Sequence, residues 1–189
     1  MAVRKQTAGK ASRAKRSPRE IARQADRILE EAEERAKAGK AKGLSTVTLP
    51  RAELIKKLSG RSAHSPFLTQ IGWGAASRGS IFYLEFGLIN PDPWPWDDNN
   101  LGLCVYWGPA GGIVEPGLSL LNADTSTGVV AVTIGTMNPS ASLYYLLATH
   151  TIAATARAGR NDLNYLLYGT EAFQNGILLQ RGSIGVIVT

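Results

Sequence analysis

The sequence predicts a mainly β protein: an antiparallel β-sandwich, immunoglobulin-like or jelly-roll, preceded by a disordered basic arm and one or two short helices. Three observations predict it. From Ser65 onward, Val, Ile, Tyr, Phe and Thr come in short runs broken by Gly, Pro and Asn, which is the grammar of strands and turns. Six or seven such runs follow one another with no helical pattern between them, as a sandwich requires. Charge is also segregated: residues 1–64 carry 17 Lys or Arg against 7 Asp or Glu, a balance of +10, and residues 65–189 carry 4 against 8, a balance of −4. A basic tail joined to a separately folded body has this signature.

The chain divides into a disordered basic arm (1–17), a helical connector and linker (18–64) and a β-sandwich body (65–189). The arm is low in complexity, rich in Ala, Lys, Arg, Ser and Gly, and has too little apolar surface to offset the entropy of ordering. Ser17 then offers an N-cap, Pro18 suits the first helical position, and Glu20 lies three residues after Ser17 as in a capping box. A helix over about 18–38 follows, with Ile21, Ala25, Ile28, Leu29, Ala32 and Ala36 on one stripe. The stripe is half Ala and supports weak packing against a partner helix or the body, not an autonomous coiled coil. Residues 39–45 read as a flexible linker. Pro50 and Gly60 bracket a second helix at 50–59.

In the body, strands are expected at 80–89, 101–108, 128–136, 143–157 with a bulge or break, 164–169, 176–181 and 183–189. The stretch 141–156 lacks breakers and also admits a helix. Gly-rich stretches at 72–80 and 108–112 join no strand to a helix, so they read as turns and not as phosphate-cradling loops.

Function is carried by the arm and by the composition of the body. Residues 1–19 hold seven cations, Arg4, Lys5, Lys10, Arg13, Lys15, Arg16 and Arg19, and no acid. Cations on a flexible tail bind nucleic acid by releasing its counterions. No aromatic residue precedes Phe67, so the arm has nothing to stack on unpaired bases and contacts phosphate without sequence readout. Its residues 4–11, "RKQTAGKA", resemble eight residues of a core histone tail, in a chain with no histone-like helical body. The loop "NPDPWPWDDNN" (90–100) is stiffened by three Pro and presents Trp94 and Trp96 as a subunit or ligand contact, or as a lid on the body's own core.

Catalysis has little support. His64 and His150 stand apart, and no zincin, nucleophile-elbow, Walker or paired-cysteine pattern occurs. The chain is expected not to be an enzyme, to hold no cofactor, and to bind no metal, because Asp92, Asp97 and Asp98 match no calcium-loop spacing. Cys104 is the only cysteine, so no intrachain disulfide forms, and it reads as a small apolar core residue. With no apolar run long enough to span a bilayer and no secretory signal, synthesis in an intracellular compartment is expected.

The body has only twelve charges in 125 residues, which leaves strand edges poorly guarded against pairing with other subunits. Layout across the chain therefore resembles that of coat proteins with a basic N-terminal arm. The resemblance implies a self-assembling homo-oligomer, in a virion or other assembled particle, that neutralises packaged nucleic acid. The alternative is a β-sandwich module that binds carbohydrate or protein and carries a polyanion-binding tail.

Overall fold

The computed structural model describes residues 16–60, 65–93, 96, 101–108, 114–119, 123–124, 129–134, 137–139, 142–169 and 177–189. Their elements in chain order are α1 (Pro18–Ala41), β1 (Ser45–Thr48), α2 (Arg51–Ser59), β2 (Phe67–Trp73), β3 (Ile81–Ile89), β4 (Gly102–Gly108), β5 (Val114–Ser119), β6 (Ala123–Asp124), β7 (Val129–Thr133), β8 (Ser142–Ile152), β9 (Gly159–Gly169) and β10 (Ile177–Val188). The protein is mainly β, as its sequence predicts.

Helix α1 starts where its capping box dictates. The Glu20 N–H donates to Ser17 Oγ at 3.3 Å, and the Ser17 N–H donates to Glu20 Oε2 at 2.7 Å. The expected apolar stripe is the buried one, with Ala25, Ile28 and Ala32 enclosed. Ala25 and Ile28 meet Leu54 and Leu58 of α2, Phe67 of β2 and Ile89 of β3 in a satellite core between the helices and one sheet. Alanines in the stripe let α1 approach closely.

Two five-stranded sheets have the orders β1-β2-β3-β8-β5 and β10-β9-β4-β7-β6, and the paired strands are antiparallel. The neighbours β2-β3-β8-β5 and β10-β9-β4-β7-β6 have the spatial orders A-B-E-D and G-F-C-C′-C″ of an immunoglobulin-like sandwich. Chain order departs from that form twice: β5 precedes β6 and β7, and β6, in the C″ place, precedes β7, in the C′ place. The main core lies between the sheets: Phe82, Leu84, Phe86 and Leu88 of β3 face Leu103, Val105 and Trp107 of β4, Leu163 and Leu167 of β9, and Ile184 and Val186 of β10. Trp107, at the C-strand position, packs on Phe82 with ring centroids 5.2 Å apart. Where antibody domains set a tryptophan against a disulfide, this chain uses a second aromatic ring. Burying Phe82 fully contributes about 1.5–3 kcal/mol.

The structure changes several expectations. Residues 39–45 are not a free linker: α1 runs on to Ala41, Gly43 turns the chain with a φ of +81°, and Ser45 opens β1, which pairs with β2 at the sheet edge. The first sheet thus begins inside the stretch read as a connector. Strands β2, β5 and β6 were not expected: Gly72, near the end of β2, falls in a stretch read as a turn, and Pro116 and Gly117 interrupt the β5 run. Strand β8 forms over Ser142–Ile152, which removes the helical reading of most of 141–156. The two expected C-terminal strands are one, β10, interrupted by a bulge between Leu178 and Gln180. The arm's expected disorder does not extend to Arg16 and Ser17, which are held by hydrogen bonds to α1 and to the 90–92 segment.

Candidate nucleic-acid interface and assembly edges

Arg4, Lys5, Lys10, Arg13, Lys15 and Trp94 lie outside the described residues, as does His64. Arg16, Arg19 and Trp96 lie within them. Arg16 turns inward: Nη1 donates to Gln24 Oε1 at 2.7 Å, Nη2 donates to the Pro91 carbonyl at 2.7 Å, and Nη2 stands 3.8 Å from Asp92 Oδ1. Gln24 Nε2 donates to the same Pro91 carbonyl at 3.1 Å. Asp92 is only 4 % exposed, and a carboxylate so buried needs donors and a nearby cation. Arg16 therefore ties the base of the arm to the start of the tryptophan loop.

That loop is built onto the sandwich. Asn90 Nδ2 donates to the carbonyls of Met137 and Asn138, and Asn90 Oδ1 accepts from the Asp92 N–H at 3.1 Å. Trp96 exchanges two backbone hydrogen bonds with Met137, at 2.9 and 3.1 Å, and its half-buried ring packs on the main core. Its indole N–H is enclosed and has no hydrogen-bond partner among the described residues. Trp96 sits as a lid on its own core.

Arg19 is exposed on α1, and so are Arg23 and Arg27, one and two turns further on. Neither of the latter two was singled out from the sequence, although the four-residue spacing from Arg19, opposite the Ala25, Ile28 and Ala32 stripe, was there to read. The acids of these turns are engaged. Glu20 accepts from the Ser17 backbone N–H, the main reason its carboxyl titrates below its ordinary value. Asp26 is gripped by the Arg51 fork, Nε to Oδ1 at 2.6 Å and Nη2 to Oδ2 at 3.2 Å, which lowers it likewise. Lys57 is different again: its ammonium lies 5.4 Å from the Phe67 ring centroid, and burial pushes its pKa down.

On the body, β10 and β1 are edge strands. The twelve residues of β10 include one charge, Arg181, and leave Leu178 and Ile187 44 % and 58 % exposed. Ala76–Arg78 covers the last backbone groups of this edge: the Thr189 N–H donates to the Ala76 carbonyl, and the Arg78 N–H to the Thr189 carbonyl. Gln180 links the two sheets here, its Oε1 accepting from the Leu68 N–H at 2.8 Å and its Nε2 donating to the Leu68 carbonyl at 3.4 Å. Nearby, Tyr165 lies over Gly182, where any Cβ would overlap the phenol ring. Between β1, β2 and β10 is a recess of about 110 Å³ lined by Val47, Leu68, Gln70, Tyr165, Gln180 and Ile184. Among the described residues no three His, Cys, Asp or Glu side chains gather as a metal would need, and no helix is long and apolar enough to cross a membrane.

No family model matches the chain, and no curated protein matches it. Among solved structures it is similar to the C-terminal domain of Wzt, with a TM-score of 0.45 and 8 % identity, over 77 % of this chain and 78 % of that one. It is similar also to the alkylpurine DNA glycosylase AlkC of Pseudomonas fluorescens, solved with DNA containing an abasic site analog (TM-score 0.39, 17 % identity, 74 % and 38 % covered). A third likeness is to BslA, a bacterial hydrophobin (TM-score 0.31, 13 % identity, 66 % and 92 % covered). Likenesses this distant carry no argument about what the chain does.

Proposed function

We propose that this chain is a structural, self-assembling shell- or coat-like subunit whose basic N-terminal arm binds nucleic acid without sequence specificity. The observation that carries the reading is the separation of the two surfaces. Cations gather in the first 64 residues, whereas the sandwich ends in a twelve-residue edge strand with one charge and two exposed aliphatic side chains. An edge of this composition invites pairing with another chain, and a cationic tail invites phosphate. The test is size-exclusion chromatography with light scattering, run with and without nucleic acid. Defined oligomers that grow when nucleic acid is added support the reading; a stable monomer that nucleic acid leaves unchanged refutes it.

A second reading, a ligand-binding sandwich with a polyanion-binding tail, is favoured by one feature. Gln70 is 2 % exposed, and its side-chain carbonyl has no hydrogen-bond partner among the described residues, beside the recess between β2 and β10. A monomer that gains thermal stability with a small polar ligand would turn the argument that way.

A further inference from the structure

We infer that the nucleic-acid interface has a folded part: Arg19, Arg23 and Arg27, on the solvent side of α1, hold the phosphate backbone as a continuation of the arm. The inference rests on the reading above and adds to it a site on regular structure. Residues four apart on a helix sit one above another, displaced by about 40° and about 6 Å per step. The three guanidinium groups therefore form a slowly turning row about 12 Å long, on the side away from the buried Ala25, Ile28 and Ala32.

Engagement of the neighbouring acids decides what this row can do. Glu20 and Asp26 are the acids of the first three turns, and each is held by another group, Ser17 in one case and Arg51 in the other. Arg19, Arg23 and Arg27 are exposed, and among the described residues none of them closes a salt bridge, although the Arg23 charge helps to lower the Glu20 carboxyl. Glu30, Glu33 and Glu34 follow along the exposed side and end the row. Arg16, anchored on Pro91 and Gln24, precedes the row by three residues, so the arm enters directly onto it. A lipid surface fits less well, because a helix that lies on a membrane needs a free apolar face, and the apolar face of α1 is buried against α2 and β2. Duplex or single-stranded nucleic acid, which offers a line of phosphates, fits the row.

The test uses the full chain and two triple variants of equal charge change. One replaces Arg19, Arg23 and Arg27 with Gln; the other replaces the exposed Lys37, Lys40 and Lys42 at the far end of α1. Gln is a good helix former, so the helix should persist, as far-ultraviolet circular dichroism will report. Binding of a labelled oligonucleotide is followed by anisotropy over a series of salt concentrations. The arginine triple should flatten the plot of log K against log salt by about 2–3, from about 0.7 to 0.9 per lost phosphate contact, and the lysine triple should leave the slope within about 1 of the parent. Equal flattening by both triples, or none by the arginine triple, overturns the inference. Should the triple misfold, Arg23→Gln alone is expected to lower the slope by about 0.7–0.9. A parent chain with no salt-dependent binding would remove the underlying reading; loss of all binding on deleting residues 2–15 would leave that reading intact and remove this site. Parallel loss of binding to phosphatidylserine vesicles by the arginine triple would reassign the row to a lipid surface and overturn the nucleic-acid assignment.

Discussion

Arg16→Ala separates the part of the basic segment that belongs to the fold from the part that does not. The substitution removes two hydrogen bonds from a charged donor, both 2.7 Å long, and takes a cation from 3.8 Å away from Asp92, whose side chain is 6 % exposed. A hydrogen bond to a charged group contributes about 1.5–3 kcal/mol. Some of the loss is offset, because Gln24 still donates to the Pro91 carbonyl and the Asn90 side chain still accepts from the Asp92 N–H. The expected cost is about 2–3 kcal/mol, or a fall in Tm of about 4–12 °C for a chain of this size. Deleting residues 2–15 should cost less than about 0.5 kcal/mol. Deleting 2–17 should cost as much as Arg16→Ala plus about 1 kcal/mol for the lost Ser17 cap. Arg16→Lys should fall between, since a single ammonium nitrogen lacks the planar fork that reaches Gln24 and Pro91 from two separate nitrogens. Urea unfolding followed by circular dichroism measures all four. An Arg16→Ala chain as stable as the parent, or a 2–15 deletion that melts several degrees lower, would refute the reasoning.

Two further outcomes are expected. Trp96→Phe should keep stability within about 1 kcal/mol, because it trades ring area against an enclosed indole N–H without a partner, whereas Trp96→Ala should cost about 3–5 kcal/mol; equal losses in thermal melts would show that the N–H is satisfied. Burial raises the pKa of Cys104 and of Tyr165, so the unfolded chain releases these protons first, and stability should fall as pH rises above the ordinary thiol value. Cys104→Ala should flatten that fall in a Lys57→Gln background, where the opposite contribution of the lowered Lys57 is absent; an unchanged slope would show that the thiol titrates alike folded and unfolded.

Legibility followed the strength of the local signal. Ser17, Pro18 and Glu20 act within one turn, and their side chains alone specify where α1 begins, so that start was readable. The long strands β3, β4 and β8 were readable because their apolar runs are unbroken. β1 was not: four residues beside Gly43 and Pro50 carry no periodicity, and only pairing with β2 makes them a strand. β5 was missed because Pro116 and Gly117 speak against a strand that neighbouring β8 nonetheless accepts. For the candidate site, residue type showed the cations but not their direction. Arg16 and Arg19 are equivalent in sequence, yet one meets a buried carbonyl and the other faces solvent, a difference made by residues 75 positions away. Arg23 and Arg27 were hidden among alternating charges, because Asp26 between them is taken by Arg51, 25 positions away.

The Arg16 clamp also sets a geometry for whatever the preceding residues hold. Fifteen residues tethered at that point reach at most about 50 Å from it, fully extended. A polyanion gripped by them is therefore kept at an effective concentration fixed by a short leash, instead of by its concentration in bulk. If copies of the chain are arranged by symmetry as proposed, the leashes leave from equivalent points at the spacing of the subunits. The strand they hold then meets a lattice of tethering points, with the row on α1 at the root of each, and the length it can thread between neighbours follows from subunit spacing and not from base sequence.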